Sequence, residues 1–288
     1  MAGDRKTRHP GRWRRIVLLI LLVAVLAGSV WLFARTPSLD RDWSEEVSRL
    51  PDAAYRQDGT VLISNVRHWN YDADGPVDNA WRDASYDPQR LAGLWFNLDP
   101  LPVWDGVAHT FLVFEFDGGS QRYLGVSVEA RKTRGQVYSG LKGLFRQYEL
   151  LHVWASEADL LKRRTLYLGE DVYQYRLALT REQIRAIFDA FVEQTQALAQ
   201  QPRFYNTLLS NCTNELARTI RRTGGEIPWH YSYVLTGFAD RYLHGLGYIA
   251  PGASEFGAVR RAALKTGRIV EFADLTGAEF SDAIRRLR

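Results

Sequence analysis

The sequence predicts an α+β domain carried behind a single N-terminal transmembrane helix. Three observations lead there. Ile16 to Ala34 is an uncharged apolar stretch, His109 to Arg131 reads as an aromatic and β-branched hairpin, and a capped amphipathic helix starts at Thr180. A second helix then begins at the chain's lone cysteine, Cys212.

The apolar stretch contains Leu, Val, Ile and Ala and no polar face, and at ~1.5 Å per residue it nearly spans the ~30 Å of bilayer hydrocarbon. Arg5, Lys6, Arg8, Arg12, Arg14 and Arg15 precede it, opposed only by Asp4. Such a cluster stays cytoplasmic, which sends the chain after Ala34 across the membrane. A cleaved signal peptide would have a shorter apolar core and a small-x-small site, whereas Trp31, Leu32, Phe33 and Arg35 crowd this end. The expected division is therefore a basic cytoplasmic tail at 1–15, an anchor at 16–34, a linker with a short helix at 35–60 and an exported domain at 61–288. Of the net charge of +4, the first fifteen residues supply +5, so the exported part is close to neutral. No basic run remains to track phosphates, and nucleic acid is not an expected partner.

After the anchor, Trp43 to Leu50 reads as a brief helix and Thr60 to Val66 as a strand. Asn70 to Asp105 is rich in Asp, Pro, Gly and Trp and reads as an irregular wall over a cleft. His109 to Phe116 is a strand, Asp117-Gly-Gly-Ser120 its turn, and Arg122 to Arg131 the returning strand. Tyr148 to Trp154 and Val172 to Leu179 are further strands, with a short helix from Ser156 to Arg164 between them. Thr180 and Gln183 form a capping box, after which Ile184, Ile187, Phe188, Phe191, Val192 and Leu198 recur at helical spacing up to Pro202. Cys212 to Arg222 is a second helix, stopped at Gly224-Gly225. The last stretch mixes turns and short helices, one of them from Ser281 to Leu287.

One cysteine cannot form an internal disulfide, and a solitary thiol also serves as a small buried hydrophobe. Its position suggests more. Ser210 and Asn211 suit a helix cap, which puts Cys212 in the first turn, where free amides and the helix dipole stabilise a thiolate. A thiolate becomes a nucleophile when a base reaches it. Of six histidines, His9 lies before the anchor, His230 and His244 in the irregular C-terminal part, His68 in a loop and His152 inside an apolar strand. His109 opens the best strand, after the small Ala108. If Phe116 lies opposite Gln121, His109 falls opposite Val128, and a shift of one residue brings Glu129 beside it. Glu129 or Ser127 would then orient the imidazole, unless Glu129 and Arg131 merely form a strand-end ion pair. No companion cysteines or i, i+4 histidines suggest a metal, and no Gly-rich loop suggests a nucleotide, so no cofactor is expected.

Phe204-Tyr-Asn-Thr-Leu-Leu-Ser-Asn-Cys-Thr213, Ala108-His-Thr-Phe-Leu-Val-Phe-Glu-Phe116 and Ser127-Val-Glu-Ala-Arg131 resemble the Lnb-type periplasmic domain family. Gly143 to Glu149, Glu157 to Asp159 with Arg163 and Arg164, and Tyr242 to Gly247 extend the resemblance from about Ser64 to the C-terminus. It implies a permuted papain-like domain, similar to NlpC-like thiol enzymes, with an antiparallel sheet and a Cys-bearing helix. Members implicated in lipoprotein maturation are thought to move an acyl chain onto an amine. By resemblance, Cys212 is the nucleophile and His109 the base, with Glu129 or Ser127 as third member. Arg67, Arg131, Tyr205 and Asn211 are candidates to line the substrate site. Members tied to N-acylation carry a multi-helix membrane region after this domain, whereas here one apolar helix precedes it, which leaves the substrate open. The expected partners are membrane lipids, lipoproteins or peptidoglycan. The expected location is a bacterial inner membrane, with the domain in the periplasm. A peptide or peptidoglycan amidase of the same thiol class, and a membrane-anchored binding module, are the competing readings.

Overall fold

The structure is a computed structural model that describes residues 10–119, 121–252 and 255–286. It divides into two compact units, Met1–Pro37 and Ser38–Arg288. The first holds one helix, α1 (Pro10–Ala34), whose segment Trp13–Ala34 has a mean hydropathy of 2.9 and is long and apolar enough to cross a membrane. Most of the expected cytoplasmic tail lies outside the described residues.

The second unit is built on an eight-stranded sheet. Its strands are β1 (Ala53–Tyr55), β2 (Val61–Tyr71), β3 (Pro76–Tyr86), β4 (Leu91–Pro100), β5 (Ala108–Phe116), β6 (Tyr123–Arg131), β7 (Glu149–Ser156) and β8 (Tyr173–Arg176). The spatial order is β1-β2-β7-β6-β5-β4-β8, with β3 paired to β2. The expected sheet was antiparallel, and every pairing is so except β2 with β7, which makes the sheet mixed.

The largest departure from expectation is residues 70–105. They form the end of β2, all of β3 and all of β4, not an irregular wall. β3 pairs only with β2 and is mostly exposed, so its polar sequence lacks an apolar stripe. β4 lies between β5 and β8 and is buried on both faces, which removes the period-two alternation that would announce it. The β2–β3 turn carries Gly75 at φ 137, a backbone that a Cβ disfavours, and the Asp72 side chain accepts from the amides of Asp74 and Gly75. β2 also runs past Val66, across an irregularity at Asn65, which has φ 54. What remains irregular is the short loop 101–107.

Two apolar layers sandwich the sheet. On one face, Leu112, Phe114, Val126 and Trp154 pack under α4 (Arg181–Gln200) and α5 (Cys212–Arg222). The capping box of Thr180 and Gln183 is present, and all six apolar positions expected on α4 are buried. On the other face, Phe111, Val113, Leu151 and Val153 belong to a second cluster with Leu160, Ile269, Phe280 and Ile284. Alternation along β5 and β6 thus sends even and odd residues to different layers.

Candidate thiol site

Each member of the site is placed by a strand or helix end. Asn211 caps α5: its side chain accepts from the Asn214 amide at 2.8 Å. Its Nδ2 donates to the carbonyls of Thr207 and Tyr233, both at 2.8 Å. One buried amide therefore fixes the helix start and joins it to two loops. Cys212 is the next residue, buried, at the positive end of the helix dipole. The neighbouring Thr213 hydroxyl lies 3.0 Å from that of Thr110 on β5. This contact seats α5 against the start of the strand, one residue beyond His109.

The β5–β6 register settles the alternative left open by the sequence. Phe111 faces Ser127, so continued alternation puts His109 level with Glu129 rather than Val128. His109, Ser127 and Glu129 share one face. His109 Nε2 lies 2.7 Å from Ser127 Oγ and 3.3 Å from Glu129 Oε1, and Ser127 Oγ donates to Glu129 Oε1 at 2.7 Å. A protonated Nε2 donates to Ser127 in this chain of bonds, which leaves Nδ1 as the ring nitrogen for the thiol.

The charges follow from these neighbours. Burial and Arg164 disfavour an imidazolium at His109, but Glu129 and a thiolate at Cys212, which hydrogen-bonds the ring, outweigh them and raise its pKa. Burial pushes the Cys212 thiol up. The His109 charge and hydrogen bond, with help from the Thr110 hydroxyl and amide, bring it down to about 7. Glu129 is held well below the usual carboxylate range: burial opposes this, and His109, Arg164 and Arg163 overcome it. The arrangement favours a thiolate–imidazolium pair with a carboxylate behind it.

A further charge backs that carboxylate. Arg164 lies 3.2 Å from Glu129, 3.3 Å from Asp99 and 3.8 Å from Glu170. It comes from a π-helical turn, Arg163–Tyr167, which extends the short helix α3 (Glu157–Lys162). Asp99 stands opposite His109 on β4 and is buried. Burial raises its pKa to about 7, despite Arg164 and His109. Sequence reasoning did not assign Thr110, Thr213, Asp99 or Arg164 to the site. Only the Arg163-Arg164 pair was conspicuous, and its spacing said nothing about which carboxylates it would reach.

Cys212, His109, Glu129, Tyr205 and Asn211 all line one cavity of about 200 Å³. Most of its wall is apolar, including Leu101, Val107, Val128, Leu168 and Val234, with Lys132, Arg163 and Arg164 as cations. Tyr205 reaches Tyr138, 3.4 Å between hydroxyls. Arg67 and Arg131 are not on the wall. Arg67 is buried in a bidentate pair with Asp159, 2.7 Å at its shortest. Arg131 donates to the carbonyls of Val47 and Ser48 and stacks on Trp43, 4.2 Å to the ring centroid. The strand-end pair of Glu129 with Arg131 does not form; the guanidinium on Glu129 is that of Arg164.

No curated protein and no solved structure matches the chain. A family model described as the Lnb N-terminal periplasmic domain matches residues 78–237, more than half of its length. The matched segment contains His109, Ser127, Glu129, Arg164 and Cys212. This chain therefore belongs to the Lnb N-terminal periplasmic domain family, and its apolar N-terminal helix suggests a membrane-anchored periplasmic protein.

Proposed function

We propose that the protein is a membrane-anchored cysteine acyltransferase or hydrolase of the bacterial inner membrane, with its N-terminus cytoplasmic and its thiol site in the periplasm. The observation that carries this reading is that Cys212, at a helix N-terminus, and His109, held by Ser127 and Glu129, line the same cavity. Cys212 thiolate attacks an ester or amide carbonyl, and the carbonyl electron pair moves onto oxygen. Amides at the start of α5 stabilise that oxyanion. Collapse expels the alcohol or amine, which takes its proton from the His109 imidazolium, and leaves an acyl-thioester. An amine or water then gives a proton to the neutral imidazole as it attacks the thioester, and the thiolate–imidazolium pair is restored. Ser127 and Glu129 hold the ring and favour its charged form; Arg164 holds Glu129.

A lipid or lipoprotein acyl group suits the small apolar cavity better than a muropeptide does. Arg163 on its wall makes no ion pair among the described residues, which suits an anionic headgroup phosphate. The amidase reading draws support from a second, more polar cavity of about 700 Å³, which shares Leu101 and Leu168 with the first. It has room for a peptide arm. Mass spectrometry of lipoprotein N-termini and of cell-wall fragments from a deletion strain separates the two substrates.

The direct test is covalent labelling of the full chain. A thiol-directed acyl probe should modify the wild type at Cys212 and leave Cys212→Ser unmodified. Full cellular complementation by Cys212→Ala would sink the enzymatic reading.

A further inference from the structure

Many of the exposed apolar side chains on the second unit lie on the loops that wall the Cys212 cavity. Four loops wall that mouth, contributing Leu101 and Val107, Tyr138, Tyr205 and Thr207, and Val234. The loops are tied to one another. Thr207 Oγ1 donates to the Gly140 carbonyl at 2.6 Å, Asn211 Nδ2 to that of Tyr233 at 2.8 Å, and the Gly237 amide to that of Gly106 at 3.1 Å. Outside the cavity the same loops leave Val103 85%, Val137 75%, Trp229 75%, Leu209 69%, Leu141 67% and Trp104 53% exposed. Single exposed apolar residues need no explanation, but a cluster on loops joined around one opening marks an interaction surface.

Its chemistry is that of a membrane interface. Indole and aliphatic side chains are exposed on the same loops, the combination found at headgroup depth. Residues 132–148 contribute Lys132, Arg134, Lys142 and Arg146 and no carboxylate of their own, although Lys132 pairs with Glu46 and Arg134 with Asp42. Basic residues among exposed apolar ones suit an anionic leaflet. The same chain carries a helix able to span a bilayer, and its folded unit begins at Ser38, with three residues between it and that helix. A bilayer is therefore present at high effective concentration without a separate encounter.

We propose that the ring of loops around the Cys212 cavity is a lipid-docking surface, which seats the cavity mouth on an anionic bilayer. It deepens the lipid reading above, yet it depends on exposed residues and an anchor, not on thiol chemistry.

The test uses the full chain in nanodiscs with a Cys212→Ser background. Single substitutions Val137→Cys, Leu209→Cys and Val103→Cys carry an environment-sensitive fluorophore. Gln121→Cys is the control, because the nine residues of β5 separate the turn near it from His109, ~27 Å at strand rise. Discs containing spin-labelled phosphatidylglycerol should quench the three ring probes at least roughly twofold more than the control, and less in zwitterionic discs or high salt. Equal quenching at Gln121, or none at the ring positions, overturns the proposal. Docking can fail while wild-type Cys212 still takes the acyl probe, and the converse can also happen, so the two readings fail separately.

Discussion

Two imidazoles on strands of one sheet, His109 with only 11% of its side chain exposed and His152 fully enclosed, are driven to opposite charge states. His109 opens β5 with Ser127, Glu129 and the Cys212 thiol around it, and its pKa is raised. His152 lies inside β7, level with Val128 on β6, with Phe191 against its ring. Its one hydrogen-bond partner is the Thr195 hydroxyl at 3.1 Å, and its Nε2 has none. Burial, with Arg203 adding to it, lowers its pKa to about 3. Both rings are desolvated, so burial alone does not decide charge; the presence of an anion at hydrogen-bond distance does. A neutral imidazole against a phenylalanine is packing, whereas a charged one in the same cavity as a thiol is chemistry.

The sharpest way to break this comparison is to remove the charged ring. His109→Ala should slow adduct formation at Cys212 by about 10²- to 10⁴-fold, the range of a lost acid–base partner. It should also move the pH midpoint of alkylation upward from about 7, because the thiolate loses the cation that stabilises it. An unchanged midpoint in a pH series of iodoacetamide rates would mean that the helix start alone lowers the thiol pKa.

A smaller effect is expected one bond further out. Glu129→Gln keeps the shape but removes the anion, so the His109 pKa should fall and the thiolate fraction below the midpoint drop about tenfold, one pKa unit. Retention of the wild-type profile would assign orientation to Ser127 without help from Glu129.

The least effect on reactivity belongs to the neutral ring. His152→Leu should leave alkylation unaltered and change stability by under about 1.5 kcal/mol, as volume-conserving replacements do. Its signature is in pH dependence. A base whose folded pKa lies near 3, against an ordinary 6.5, binds fewer protons folded than unfolded. Its contribution is complete above 6.5 and is lost as pH falls from there towards 3. Melting temperatures of the wild type should therefore fall faster over that window than those of the variant. Parallel curves would show that His152 is not the titrating group.

Local signals made much of the molecule legible. The anchor announces itself by uncharged length. α4 does so through Thr180, Gln183 and six apolar positions, and α5 through Asn211 before Cys212. The β5–β6 hairpin is plain from its aromatic run and its Asp-Gly-Gly turn. The strands β3 and β4 were illegible for opposite reasons, the one exposed and polar, the other buried on both faces, so that neither alternates. Arg67 and Arg131 illustrate the same limit in the site. Each is a conspicuous arginine near a motif, yet one is bound to Asp159 and the other to two carbonyls and Trp43.

By itself the sequence determined what depends on neighbours within a turn or two: an apolar helix with basic flanks, a thiol at a helix start and a histidine at a strand start. Tertiary structure decided what depends on register and on contacts far apart in the chain. It put Glu129, not Val128, level with His109 and brought Arg164 and Asp99 behind that carboxylate. It also packed the two threonines that seat the Cys212 helix on the strand. Helix caps and dipoles act over one turn and leave a local pattern, whereas the field at the His109 ring sums charges from β4, β6, α5 and the π-helical turn. No stretch of sequence holds that sum.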